Sequence, residues 1–218
     1  MTRKQLPEAM AMLRREVPSW DVPVVRLNAQ DHHDPYRVLI STILSLRTQD
    51  QTTVAAAGRL FKLADTPQAM RQLDAQTIEK AIYPVGFYRT KAPQILEISR
   101  RILEDFGGRV PDDLETLLTL HGVGRKTANL VLSEGYGMPA ICVDTHVHRI
   151  SNRWGYVKTK DPYETEMALR KKLPQVFWIE YNPLLVALGQ YVCKPTSPIC
   201  SQCPVGDFCK RVGVKRSR

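Results

Sequence analysis

The sequence predicts an all-α protein, and three observations carry that expectation. Strand signals are scarce. A polar N-cap followed by proline at the first helical position recurs at Asp34-Pro35, Thr66-Pro67, Asp161-Pro162 and Asn182-Pro183. Apolar residues fall at helical spacing, and together these signals predict roughly nine or ten helices joined by short loops. No Gly/Ser linker, low-complexity tract or internal repeat divides the chain, so any division into lobes must come from packing.

Composition sets the bounds. A chain of 218 residues buries roughly 70–75% of its unfolded surface, enough for one large domain or two small ones without disulfides. No apolar run approaches the ~20 residues of a membrane span, which excludes a membrane partner. The N-terminal "MTRKQLPEAMAMLRREVP" lacks a continuous apolar segment and a small-residue cleavage site, so the expected location is the cytoplasm, on the nucleoid in a prokaryote. Lys and Arg outnumber Asp and Glu by 31 to 22, a net charge of +9 and a pI near 9.4. That balance fits a polyanionic partner, and it also fits a basic surface kept for solubility.

In chain order, Val38, Leu39, Thr42, Ile43 and Leu46 form an apolar stripe after Pro35. Ile95, Ile98, Ile102 and Leu103 form another, ended by Gly107-Gly108. "DDLETLLTL" is helical, and "RKTANLVLSEG" is helical with Gly135 as its stop. Between those two runs lies "HGVG", so Gly122, Val123 and Gly124 form the tight turn of a helix-hairpin-helix.

Glycine at 122 and 124 tolerates positive φ and carries no Cβ, so a bulky ligand can approach the N–H groups that begin the second helix. Those donors lie at the positive end of the dipole and suit a phosphate oxygen. The same turn also occurs in αα-corners for steric reasons alone. Arg125 and Lys126 follow at once. Lys126 falls opposite the Ala128, Val131 and Leu132 stripe, so it faces a cleft or solvent. The dipole there disfavours an ammonium and favours the free amine that a nucleophile requires; the plainer alternative is a solvated surface lysine.

Asp144, just before "THVHRI", reads as an N-cap whose carboxylate accepts backbone N–H bonds. Such bonds favour the ionised form, which suits it to stabilise positive charge, with a general-base role left open. Cys142 reads as a small buried hydrophobe. His146 and His148 flank that helix within reach of a ligand, whereas His32, His33 and His121 read as loop or surface residues.

Cys193, Cys200, Cys203 and Cys209 form a C-x6-C-x2-C-x5-C run near the C-terminus. Disulfides are disfavoured without an export signal. Structural zinc usually shows two Cys-x2-Cys pairs, and only one is present. An iron-sulfur cube accepts irregular spacing because its corners are spread over a larger body. Spacing leaves both metal readings open.

The hairpin "LHGVGRKTANLVL", the following "VDTHVHR" and the four-cysteine tail together resemble the endonuclease III family of DNA glycosylases. The resemblance runs from the helix near Pro35 to Cys209. It implies two helical lobes with a DNA groove between them: a six-helix barrel lobe with the hairpin over residues 28–138, and a cluster lobe made of 1–27 plus 139–218. It implies that Lys126 is the catalytic lysine, Asp144 the essential aspartate, and Cys193, Cys200, Cys203 and Cys209 the ligands of a [4Fe-4S] cluster. The function implied is base excision repair by a monomer: a bifunctional glycosylase and AP lyase removing oxidised pyrimidines from double-stranded DNA, and acting at abasic sites, through a Schiff base and β-elimination. Two alternatives are a mismatch-specific glycosylase of the same superfamily, and a non-catalytic DNA-binding or electron-transfer module. Lys126 and Asp144 together count against the second.

The chain departs from the family in places. Arg47 stands where many members carry a glutamine that fills the gap left by the flipped base, which leaves opposite-base preference open. Phe87 stands at the second wedge position, often aliphatic, although Phe is also a common core residue. Between Cys193 and Cys200 only Lys194 is basic, so phosphate contacts shift toward Arg149, Arg153 or the tail "KRVGVKRSR", unless that tail is a frayed, solvated end. His146 is a further candidate DNA contact.

Overall fold

The computed structural model describes residues 1–20 and 33–218; His32 and the lobe boundary expected at residue 28 lie outside the described residues. Among these the chain forms eleven α-helices and no strand. They are α1 (Leu6–Glu16), α2 (Pro35–Ser45), α3 (Asp50–Leu63), α4 (Pro67–Arg71), α5 (Ala75–Ile82) and α6 (Tyr88–Phe106), then α7 (Leu114–Leu118), α8 (Arg125–Leu130), α9 (Thr145–Arg153), α10 (Pro162–Lys172) and α11 (Trp178–Tyr191). The count slightly exceeds the nine or ten expected. The chain divides into two compact units, Ala29–Ala140 and Met1–Asn28 with Ile141–Arg218.

In the Ala29–Ala140 unit, α2 is the central helix. Tyr36 and all of Val38 through Leu44 are buried, so the expected stripe is in fact apolar nearly all round, as a helix enclosed by its neighbours must be. It packs on α3, α8 and the turn that follows α8. Ile95, Ile98 and Ile102 of α6 are fully buried in the same core, and Gly107 ends that helix at φ +60°, a conformation glycine adopts without the Cβ penalty.

The Asp34, Thr66 and Asp161 caps form as the sequence predicts, each side chain accepting a first-turn N–H, worth about 1 kcal/mol apiece. Asn182-Pro183 does not start a helix. Pro183 sits inside α11, one turn in, where its missing N–H forfeits a single hydrogen bond that packing offsets. Freed from capping, Asn182 is buried and donates through Nδ2 to the carbonyl of Cys142 at 3.2 Å.

Gly135 also serves another purpose than a left-handed stop. After Leu130 the hairpin's second helix widens into a π turn, Val131–Gly135, and a Cβ on Gly135 would lie 2.7 Å from the Pro35 Cα. Close packing on α2 therefore demands the glycine. The left-handed turn falls at Gly137, φ +65°.

In the other unit α1, α9, α10 and α11 surround a core in which the Trp154 and Tyr181 rings meet edge to face at 6.3 Å. Tyr181 shares its hydroxyl with Ser151 Oγ at 3.0 Å, satisfying both polar groups within the apolar interior.

Candidate active site and cysteine centre

The hairpin turn is built as the glycines allow, with a division of labour between them. Gly122 takes φ +75°, and a Cβ there would lie 2.2 Å from Gln94 Nε2, the atom that donates to the His121 carbonyl at 3.0 Å. Gly124 is extended, φ −94° and ψ 175°, so it needs no left-handed freedom; open space surrounds its Cβ position instead. Val123 is buried and anchors the turn in the core. The N-cap of α8 is Gly124, which has no side chain to cap it, unlike the Asp- and Thr-capped helices, so among the described residues its first-turn N–H groups meet no capping carboxylate. Arg125 and Lys126 are both half-buried, while Ala128, Val131 and Leu132 face the interior, which puts Lys126 on the helix's outer side.

Asp144 begins α9 in an extended conformation, and its Oδ1 accepts the Val147 N–H at 2.8 Å. The segment leading to it is buried, Ile141 and Cys142 almost completely, and is tied down by Asn182. His148 pairs through Nδ1 with Thr165 Oγ1 at 2.7 Å, a contact that holds α9 to α10.

Arg149 donates from Nε and Nη2 to the Cys193 carbonyl at 3.2 and 2.8 Å and meets His146 Nδ1 at 3.1 Å. Arg153 donates to the carbonyls of Lys194 and Pro195 at 2.7 and 2.5 Å and approaches Cys193 Sγ at 3.4 Å. Both guanidiniums thus organise the cysteine loop from α9, leaving Lys194 exposed at its surface. The basic tail is not frayed: Val212 N–H donates to Arg153 O at 3.0 Å, Arg218 N–H to Pro198 O at 2.8 Å, and Ser201 N–H to Arg218 O at 3.0 Å.

Cys193, Cys200, Cys203 and Cys209 line one small cavity of about 20 Å³, walled otherwise by Trp154, Leu188, Val192 and their neighbours. Burial, and the other three sulfurs, push the Cys203 thiol up to about 11 against a lowering hydrogen bond from the Val205 backbone; burial raises Cys209 likewise. Thiols gathered so closely ionise readily only beside a strong positive centre. Four thiols lining one cavity are a donor set that fits a thiolate-bound metal group; among the described residues no three His, Cys, Asp or Glu close on a single metal ion. Cys142 is buried apart from them, as expected.

Arg47 and Phe87 come together. The Arg47 guanidinium lies over the Phe87 ring, 5.0 Å from its centroid, Arg47 is exposed and Phe87 is 59% exposed, so Phe87 is no core residue. Lys91, which sequence reasoning passed over, lies buried beneath them. Its signal was available: it stands four residues before Ile95, on the same face as Ile98 and Ile102.

Comparison with known proteins agrees with this geometry. Residues 40–175 match the family described as HhH-GPD superfamily base excision DNA repair protein. Endonuclease III of Thermotoga maritima is 51% identical over 81% of this chain and 83% of its own length. Two solved structures, one of a non-covalent endonuclease III–DNA complex and one of a trapped endonuclease III–DNA covalent intermediate with an estranged adenine, each share 32% identity and a TM-score of 0.82, the first over 97% of this chain and 96% of that one, the second over 97% of both. On the family match and the helical fold with its hairpin, the chain belongs to the HhH-GPD superfamily of base excision DNA repair proteins.

Proposed function

We propose that the chain is a bifunctional DNA glycosylase and AP lyase that removes oxidised pyrimidines from duplex DNA. The observation that carries this reading is Lys126 in the first turn of the hairpin's second helix, behind a turn in which Gly122 takes φ +75° and Gly124 is the N-cap. A base inside a duplex is out of reach, so the nucleotide must be extruded. Gly122, Val123, Gly124 and Arg125 hold the backbone through hairpin N–H groups, and Arg47 and Phe87 fill the space the nucleotide leaves. His146 and Lys194 add contacts to DNA, and Arg149 supports the Lys194 loop.

The Lys126 amine attacks C1′. The glycosidic bond breaks, and the base departs with the bonding pair and takes one proton from the lysine nitrogen; the C1′–O4′ bond then breaks, the nitrogen's remaining proton passes to O4′, and the open-chain sugar is left as a Schiff base. Loss of the C2′ proton then expels the 3′ phosphate by β-elimination, and water hydrolyses the imine to free the lysine. Asp144, fixed by the Val147 N–H, stabilises the positive charge that develops at the sugar.

Cys193, Cys200, Cys203 and Cys209 would hold a [4Fe-4S] cluster, which when bound supplies a rigid, redox-capable support for the Lys194 loop. The test of the function is a panel of duplexes, each with one defined lesion, scored separately for base release and strand nicking. Release of oxidised pyrimidines with nicking is expected; release without nicking, or activity on mismatched normal bases alone, would displace this reading.

A further inference from the structure

Lys91 is 5% exposed, and its Nζ donates to the carbonyls of Leu44 and Leu46 at 2.9 and 2.6 Å and contacts Thr48 Oγ1 at 3.4 Å. These acceptors close the C-terminal end of α2, where carbonyls lack helical partners and the dipole is negative. Burial lowers the ammonium to about 8, with no counter-charge among the described residues relieving its desolvation. A neutral residue would fill this space at less cost unless the donors themselves are needed.

What those donors hold is a strained pair. Arg47 lies between the bonded residues Leu46 and Thr48 at φ +55°, and Phe87 stands at φ +59°, left-handed conformations that are strained for a non-glycine residue. Thr48 Oγ1 also accepts the Gly86 N–H at 3.1 Å, and a Cβ on Gly86 would lie 2.4 Å from the Arg47 carbonyl oxygen. The Lys91 N–H in turn donates to Phe87 O at 3.0 Å. The two loops are therefore stitched together beneath the stacked side chains, and both exposed residues keep left-handed backbones that no core packing of their side chains requires.

We propose that Lys91 is a positioning residue, which with Thr48 locks Arg47 and Phe87 into a single preformed wedge that enters the duplex at the extruded nucleotide. This rests on the DNA-repair reading above and extends it. A guanidinium already stacked on an aromatic ring inserts as a flat, rigid unit, with its edges free to donate to the widowed base. Preorganisation converts the strain stored in the two backbones into affinity for duplex, with no role in the chemistry at C1′.

The test is binding to a duplex in which a tetrahydrofuran abasic analogue lies opposite 2-aminopurine, whose emission reports unstacking of the widowed base. Borohydride trapping on a single-stranded abasic oligonucleotide, which has no widowed base, serves as the control for chemistry and folding. Lys91→Met should weaken duplex binding by about tenfold and reduce the 2-aminopurine signal, leave single-strand trapping within about twofold, and add less than about twofold when Arg47→Ala is already present. Thr48→Val, which removes the bridging hydroxyl at nearly constant shape, should reproduce the pattern at about threefold, and it carries the test alone if Lys91→Met does not fold. Equal losses with and without Arg47, or a parallel fall in single-strand trapping, would make Lys91 a helix-end cap only and overturn the proposal. Failure of the unmodified protein to bind any abasic duplex would overturn the DNA-repair reading as well.

Discussion

Asp144 caps α9, and the proposed function gives the same carboxylate a second job at the sugar; the two can be separated because asparagine caps helices as well as aspartate does. Asp144→Asn should keep the bond to Val147, hold the melting temperature, and lower base release from an intact lesion by about 100-fold or more through loss of the charge at the sugar. Cleavage of a preformed abasic site should fall less. Equal activity would reduce Asp144 to a cap. Glu134 tests the interior of the hairpin unit: burial raises its carboxyl to about 7 against an opposing influence from His33. The folded chain then holds a proton between pH 4.5 and 7 that the unfolded chain has released, so this group's stabilisation is full below 4.5 and lost as pH rises through 7. Urea unfolding should show Glu134→Gln more stable than the parent at pH 8 by on the order of 2 kcal/mol, with little difference at pH 4.5; equal stability at pH 8 would refute the shift. At this scale the sequence reveals residue types that carry chemistry. It places Lys91 on the apolar stripe of α6 but does not show what that lysine holds, because its acceptors, the Leu44 and Leu46 carbonyls, are far off in sequence.

At the scale of elements, the hairpin was legible because glycine spacing and two flanking helical periods are local signals. Aspartate and threonine caps were legible for the same reason. Asn182-Pro183 misled because a proline one turn inside a helix costs only one hydrogen bond, and long-range packing of α11 decided its start. Gly135 misled because its constraint comes from Pro35, a hundred residues away in sequence. Gly122 is the sharpest test of the hairpin. Gly122→Ala must place a Cβ at φ +75° and against Gln94, so stability should fall by about 1–2 kcal/mol, and duplex affinity should fall further than that of Gly124→Ala, where space is open. Comparable effects of the two substitutions would mean that the left-handed turn does not shape the DNA contact.

At the scale of the whole molecule, the +9 charge becomes a statement about binding. Affinity for undamaged duplex should drop by at least about tenfold between roughly 50 and 200 mM salt as condensed counterions stop being released; affinity independent of salt would remove DNA backbone as the partner. The division into two units came from the family resemblance and not from composition, since no linker marks it and the N-terminal helix joins the C-terminal half through packing. The convergence of four cysteines on one cavity was legible from their crowding, whereas the α9 arginines that organise their loop were not, because a helix surface alone does not show which face meets a loop forty residues later.

One covalent bond underlies the account of function. Borohydride reduction during turnover on an abasic duplex should fix the unmodified protein to DNA as a single adduct through Lys126, and Lys126→Ala should give none while still binding the duplex. An unmodified protein that nicks without forming an adduct, or a Lys126→Ala protein trapped as efficiently as the parent, would contradict it.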